Sequence, residues 1–326
     1  MIKNVFITGG AGYVGSVLTN YLLKKNFNVT VYDLFMYGNL FRENKNLKNV
    51  KGDIRDIKLM AKYLKGQDAV IHLACISNDP SFELNPKLGK EINFNAFEPL
   101  VKESRDIGVK KFIYASSSSV YGIKKEVNVN EEIPLEPLTD YSKFKALCED
   151  ILLKYSSKNF CCTILRPATV CGYSPRQRFD LVVNILTNQA FNLKKIKIFG
   201  GNQLRPNINI NDMVEAYYQL LKLPANKISN KIYNLGIQNQ SVSSLAKTVK
   251  NVVANNIELI TVPSDDIRSY HISSEKIKKE LGFVPKFTVE DAVHDLCNSF
   301  EKNKFSNSLN NELYFNIKRM NSLQLK

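Results

Sequence analysis

Tyr141 and Lys145 lie in the run Tyr141-Ser142-Lys143-Phe144-Lys145. On a helix, four-residue spacing puts both side chains on one face. A tyrosine ordinarily ionises near pH 10, too high for a general base at neutrality. An ammonium about 5 Å away, at an effective dielectric near 20, favours the phenolate by roughly 3 kcal/mol, or about two pK units. Such a phenol could take the proton of a hydroxyl while a hydride leaves the carbon that bears it. The spacing alone is common in helices, so its meaning rests on what surrounds it.

A hydride needs an acceptor, and the chain carries a loop suited to one. Thr8-Gly9-Gly10-Ala11-Gly12-Tyr13-Val14-Gly15 satisfies G-x-x-G-x-x-G through Gly9, Gly12 and Gly15, and G-x-G-x-x-G through Gly10, Gly12 and Gly15. Glycines there allow a sharp turn, close approach of a pyrophosphate and tight helix–strand packing, and the helix start offers free N–H groups. Asp33 closes the next apolar run, Asn28-Val29-Thr30-Val31-Tyr32-Asp33. A carboxylate at that point can accept hydrogen bonds from ribose hydroxyls and would repel a 2′-phosphate, which favours NAD over NADP. Asp53 and Ile54, in Gly52-Asp53-Ile54-Arg55-Asp56, end a third strand where an adenine ring would lie. A positive nicotinamide ring near Tyr141 would favour the phenolate further. Ser116-Ser117-Ser118-Ser119 follows a fifth strand, and a hydroxyl there could bond the same substrate oxygen.

The elements that must position these groups alternate. Strands are expected at Lys3–Thr8, Asn28–Asp33, Val50–Asp53, Ala69–Ala74, Lys111–Ser116 and Cys161–Leu165. Helices are expected between them, notably at Tyr13–Lys25, Pro86–Gly108 and Tyr141–Lys158. Short strands apolar on both faces, separated by helices, imply an α/β fold with a doubly wound parallel sheet. The second half is less regular, with strands expected at Ile196–Phe199, Ile208–Ile210 and Ile232–Leu235. The implied plan is a dinucleotide domain over 1–170, to which 207–236 returns, and a smaller substrate lobe from 171–206 and 237–301. The tail, 302–326, is rich in Asn, Ser and Lys and is expected to be loosely attached.

Composition excludes more than it specifies. Hydrophobic residues make up 44% and charged residues 23%, an ordinary globular balance. No apolar run reaches the roughly 20 residues a membrane helix needs, and the first residues do not read as a signal peptide. A cytoplasmic, soluble protein is expected. The net charge of +14 comes from lysines spread along the chain, without the dense basic run that nucleic acid would favour. Six cysteines form no C-x-x-C pair, so reduced buried thiols are expected rather than zinc or disulfides.

Together these residues resemble the extended short-chain dehydrogenase/reductase family, which includes sugar-nucleotide 4-epimerases and 4,6-dehydratases. The resemblance spans roughly Lys3 to Phe300 and includes His72-Leu73-Ala74-Cys75, Asn93 in Ile92-Asn93-Phe94-Asn95-Ala96, and Leu165-Arg166-Pro167-Ala168-Thr169-Val170-Cys171-Gly172. It implies a catalytic set of Ser117, Tyr141 and Lys145. It places Leu73, Ala74, Asn93 and Pro167 on the cofactor, beside Gly9, Gly12, Tyr13, Val14, Gly15, Asp33, Asp53 and Ile54. His72 is expected to be structural. Arg205, in Gln203-Leu204-Arg205-Pro206-Asn207, resembles an arginine that clamps a substrate diphosphate, and Arg268 a second clamp. The stretch Ala168–Asn184 resembles a branch acting on varied sugar nucleotides, including 4-dehydrogenases of activated heptoses. It implies substrate contacts from Thr169, Arg178 and Asn184, with Arg176 a further candidate.

Two departures narrow the reaction. Family dehydratases carry an acidic residue or pair just after the catalytic hydroxyl residue; here those positions are Ser118 and Ser119. Dehydration and the related decarboxylation are therefore disfavoured. Thr169 stands where 4-epimerases commonly have Asn, which leaves the substrate pose open. The resemblance implies an NAD-dependent epimerase acting through transient oxidation at sugar carbon 4, or a 4-dehydrogenase that releases the keto sugar. Epimerisation is preferred because a retained NAD needs no partner reaction. A homodimer is implied on family grounds alone. A non-catalytic dinucleotide sensor or RNA-binding member is the reading from a different class; the intact Tyr141/Lys145 pair and the scattered basic residues oppose it.

Overall fold

The protein is described by a computed structural model covering residues 2–126, 128–264 and 269–325. Its strands, in chain order, are β1 (Asn4–Thr8), β2 (Asn28–Asp33), β3 (Leu47–Lys51), β4 (Ala69–His72), β5 (Lys111–Ala115), β6 (Cys161–Pro167), β7 (Thr169–Cys171), β8 (Lys195–Phe199), β9 (Leu204–Asn209), β10 (Lys231–Leu235), β11 (Gln238–Ser241) and β12 (Glu258–Val262).

Seven of them form one parallel sheet in the order β10-β6-β5-β4-β1-β2-β3. Strand order reverses between β1 and β4, and at such a switch point the loops beyond the strand ends diverge and leave a crevice. Both faces of the sheet are covered, as its apolar strands require. One face packs Leu18 and Leu22 of helix Tyr13–Lys24 and Met213, Tyr217 and Leu220 of helix Ile210–Lys222. The other packs Met60, Leu100, Val101, Cys148 and Leu152 from three further helices. Lys111 is buried on β5, and its Nζ donates to the carbonyls of Leu220 (3.0 Å), Leu221 (2.9 Å) and Leu223 (2.5 Å). Those carbonyls end helix Ile210–Lys222 and would otherwise go unpaired beside the sheet.

The remaining strands build a second layer. A three-stranded sheet has the order β11-β9-β7, and β8 pairs with β12. Helices Val182–Leu193, Val242–Val253 and Val289–Glu301 pack a separate apolar cluster around Leu186, Ile196, Leu245 and Val293.

Four departures from the sequence reading have physical causes. Of the strand expected at Ile208–Ile210, Ile208 and Asn209 end β9, which joins the small sheet, and Ile210 opens a helix, so only β10 of the 207–236 segment pairs with the main sheet. The continuous helix expected over Pro86–Gly108 is broken by a π-helical turn at Glu91–Asn95. There the Asn93 side chain accepts from Ile76 N (2.8 Å) and donates to Ile76 O (2.9 Å), and the widened turn lets it reach both. β7, β11 and β12 are short or polar and give no alternating pattern to read. The tail is not loose. Phe305 and Tyr314 pack on Phe179 at ring separations of 5.1 and 5.4 Å, and helix Asn316–Leu323 buries Met320.

His72 ends β4 with its ring in the core, its Nδ1 2.7 Å from Thr8 Oγ1. Burial, reinforced by the charge of Lys145, lowers its pKa to about 3 from 6.5. Below the unfolded value the unfolded chain takes up a proton that the folded chain refuses, so stability is lost as pH falls through that window. The urea midpoint should drop between neutral pH and about pH 4.5, and more gently in His72→Asn. Equal slopes for the two proteins would remove His72 as a source of acid sensitivity.

Candidate active site

A cleft of about 810 Å³ runs over the carboxyl ends of the main strands, at the upper end of the ~300–1,000 Å³ range of ligand sites. At its centre is the glycine loop. Gly9 sits at φ +72°, and a Cβ there would meet Ala74 N at 2.6 Å; a Cβ on Gly15 would meet Gly9 O at 2.2 Å. Gly12 precedes helix Tyr13–Lys24 without a side-chain cap, and a Cβ on it would approach only Gly9 O, at 3.2 Å. Gly9 and Gly15 are therefore required by the fold, while Gly12 keeps open the approach to uncapped N–H groups. Asp33 faces the same cleft, its Oδ1 accepting from Phe35 N (2.8 Å) and its Oδ2 from Ala11 N (3.0 Å). Burial raises its pKa against those two bonds. Asp53 and Ile54 line the far end, with Asp53 paired to Arg55 at 2.7 Å.

The reactive group stands on helix Asp140–Tyr155. Thr139 and Ser142 form a capping box that fixes where this helix begins, and so where Tyr141 points. Tyr141 is half-buried in the cleft wall, which it shares with Ser117. Ser117 follows β5, with its Oγ accepting from Ser119 N at 3.1 Å and lying 2.9 Å from Ser119 Oγ. Lys145 Nζ donates to Ala115 O at 2.7 Å and lies 5.9 Å from the Tyr141 ring centroid.

The electrostatics correct the sequence argument. Burial pushes the Tyr141 phenol well above its ordinary value, with Cys75 and Asp79 adding to the rise. Arg178 and the neighbouring Ser117 hydroxyl act in the opposite direction, and Arg178, rather than Lys145, is the cation that most counters burial. Lys145 spends a proton on a main-chain carbonyl, so its charge is aimed at the β5 end as much as at the phenol.

Arg176 and Arg178 close the middle of the cleft. Arg178 is buried between Asp180 (Nε to Oδ1, 2.8 Å) and Ser77 (Nη1 to Oγ, 3.1 Å), leaving Nη2 without a hydrogen-bond partner. Arg176 lies flat on Tyr37, 3.4 Å from the ring centroid, and its Nε and Nη1 have no partner. Burial lowers its pKa to about 10. Leu73, Ala74, Pro167 and Thr169 also line the cleft, and Arg205 of β9, Lys197 and Phe199 of β8 and Tyr270 line it from the second layer of strands.

Two expected contacts are absent from this wall. Asn93 is consumed by its two bonds to Ile76 and is buried away from the cleft. Asn184 is fully buried; it accepts from Gly172 N (3.0 Å) and donates to Tyr13 Oη (3.0 Å) and Arg178 O (2.9 Å). It braces the segment that carries Arg178 instead of facing a ligand. Tyr13 is likewise tied by its hydroxyl to Gly172 O at 2.7 Å, and it lines the cleft beside Val14. Arg268 lies outside the described residues. Tyr37, Ser77 and Asn316 line the cleft without any sequence signal pointing to them. Among the described residues, no group of His, Cys, Asp and Glu is placed to hold a metal ion, and no helix is long and apolar enough to cross a membrane.

The family model for the NAD dependent epimerase/dehydratase family matches residues 5–236. The chain belongs to that family. It is 28% identical over 318 residues to a UDP-glucose 4-epimerase of Lactobacillus helveticus, covering 89% of this chain and 94% of that one. A solved UDP-glucose 4-epimerase of Thermotoga maritima, with UDP-glucose, superposes with a TM-score of 0.83 at 27% identity, covering 92% of this chain and 99% of that one. A dTDP-glucose 4,6-dehydratase from Streptomyces venezuelae shares the fold, with a TM-score of 0.82 at 24% identity over 92% of this chain and 98% of that one. The cofactor of the family is NAD; the glycine cradle, the uncapped helix start and the orphaned N–H groups of Arg176 fit a dinucleotide's diphosphate, and the Asp33 carboxylate fits its ribose hydroxyls.

The two glycines should separate experimentally. Gly12→Ala should lower the melting temperature far less than Gly15→Ala, since a Cβ on Gly12 asks Gly9 O to give by only a few tenths of an ångström, yet weaken NAD binding by about tenfold or more because it crowds the pyrophosphate. Gly15→Ala should lower both, since its Cβ strikes the loop backbone. A calorimetric titration and a thermal melt of each variant decide; tight NAD binding by Gly12→Ala would refute the pyrophosphate assignment.

Proposed function

We propose that the protein is a nucleotide-sugar epimerase that inverts a sugar carbinol, at carbon 4, by transient oxidation. What carries this reading is the Tyr141 phenol in the wall of the cleft that holds the glycine loop, with Ser117 on the same wall and the Lys145 ammonium 5.9 Å from its ring centroid. NAD, when bound, supplies the reversible two-electron oxidation of that carbinol carbon.

The chain's own residues do the rest. Ser117 and Tyr141 grip the reacting hydroxyl, and Tyr141 takes its proton when the carbonyl forms and gives it back when the carbinol is restored. Lys145 anchors the helix to the end of β5 and keeps positive charge beneath the phenol. Arg178 offsets part of the burial that opposes phenolate formation. Arg205, lining the cleft from the second layer of strands, is suited to clamp the substrate diphosphate, with Thr169 on the sugar side.

Two features favour epimerisation over elimination of water. Ser118 and Ser119 offer hydroxyls where elimination needs a carboxyl group. The acid that approaches the phenol, Asp79, accepts a hydrogen bond from Thr139 Oγ1 at 2.5 Å. The epimerase names of the relatives, UDP-glucose 4-epimerase among them, point the same way. A 4-dehydrogenase would use the same groups and differ in releasing the keto sugar.

The purified protein incubated with UDP-, GDP-, CDP- and dTDP-sugars should give a C4 epimer by NMR, with no net rise in NADH absorbance. Stoichiometric NADH with release of a keto sugar would instead establish the dehydrogenase. Tyr141→Phe should bind NAD normally and lose several orders of magnitude in turnover; near-wild-type rates would exclude Tyr141 as the base. Because a base works deprotonated and burial raises this phenol, turnover should climb with pH toward the alkaline side. Arg178→Gln should push that rising limb to still higher pH, and an unmoved limb would remove Arg178 from the phenol's electrostatics.

A further inference from the structure

The tail ends against the cofactor half of the cleft. Asn316, only 5% exposed, opens helix Asn316–Leu323. Its backbone N–H donates to Asp180 Oδ2 at 3.1 Å. Its Oδ1 accepts from the Tyr37 hydroxyl (3.0 Å) and from Arg176 Nη2 (2.5 Å). Its Nδ2 donates to Ser77 Oγ at 2.9 Å. A single residue thus fastens three segments of the cleft rim: the loop after β2, which follows Asp33; the loop after β4; and the stretch containing Arg176 and Asp180.

The neighbours of Asn316 strengthen the fastening. Arg319 Nε donates to Met36 O at 2.7 Å, and its guanidinium also bonds Glu312. Met320 is buried in an apolar cluster with Ile76, Phe82 and Leu88. Asn316, Met320 and Leu325 line the same cleft as Gly9, Gly12 and Asp33. The bonds run to loops on the dinucleotide side.

We propose that residues 305–325 form a latch across the dinucleotide half of the cleft, with Asn316 as its positioning residue, and that this latch sets how fast the nicotinamide dinucleotide enters and leaves. The proposal rests on the family's use of NAD and is independent of the epimerase reading. A latch differs from an ordinary ligand contact in its kinetics. Losing a contact hastens release alone; losing a latch opens the path in both directions, so release and association quicken together.

The test uses the full chain and NADH, followed by its fluorescence in stopped flow, with an excess of NAD as the chase. Asn316→Ala should raise both the release and association rates by about tenfold or more, since it loses side-chain bonds that include one to a guanidinium. The dissociation constant should change less than either rate. Asn316→Asp keeps an acceptor for Arg176 and Tyr37 and should restore slow exchange. Arg319→Ala, at a less buried position, should quicken both rates in the same sense and serves if Asn316→Ala does not fold. Wild-type rates in a folded variant would overturn the latch, and so would faster release with unaltered association. No sugar nucleotide is present, so a failed latch leaves the epimerase assay untouched, and a failed epimerase assay leaves the latch standing.

Discussion

Glu149 and Arg166 are 2% and 3% exposed, and their ion pair holds the reactive half of the molecule in register. Arg166 meets both carboxylate oxygens, with Nε at 3.0 and 3.1 Å and Nη2 at 2.6 Å. The carboxylate also receives the Ser116 hydroxyl, while Arg166 Nη1 donates to Tyr121 Oη at 2.7 Å and Tyr121 donates onward to Asn234. Such a pair adds little net stability, because two charges have been withdrawn from water. Once buried, however, neither partner can leave without stranding the other, at about 3–5 kcal/mol. Glu149 stands on the Tyr141 helix, Arg166 on β6, Ser116 beside Ser117 and Asn234 on β10. Tyr141, Ser117 and the edge of the sheet are consequently placed by one geometry.

The proposed reaction would set that site opposed demands. A phenol that is to exchange a proton with a sugar must be shielded from water, yet shielding stabilises its neutral form. The structure answers with charges of limited reach: a guanidinium shared with Asp180, and an ammonium partly spent on Ala115 O. Neither overcomes burial. Burial therefore favours the neutral phenol.

How much of this could be read from the residues depends on how local each signal is. The strand, glycine loop and helix over Asn4–Lys24 were legible because turn, cap and apolar face are all encoded within about twenty residues. Asp33 was legible because it ends a strand whose limits are plain. Asn93 and Asn184 sit at positions that a resemblance marks as important, but side-chain direction follows from packing. Both turn inward, one into a π turn and the other toward Tyr13. The Glu149–Arg166 pair joins residues seventeen apart on two elements, and no periodicity announces it. The tail was misread for a related reason: its Asn, Ser and Lys content looks like solvated surface, while its attachment depends on Phe305, Tyr314 and Asn316 finding partners far away in the chain.

The bond from Ala11 N to Asp33 carries a consequence for cofactor preference. If Asp33 selects the unphosphorylated dinucleotide, as its place at the end of β2 suits it to do, the same side chain also secures the backbone of the glycine loop. Selectivity and loop shape would then be inherited together. A descendant that came to accept a 2′-phosphate by discarding this acid would loosen its own glycine turn in the same step. It would need a second change to re-anchor residue 11, so the route to the alternative cofactor passes through an intermediate that grips neither one well.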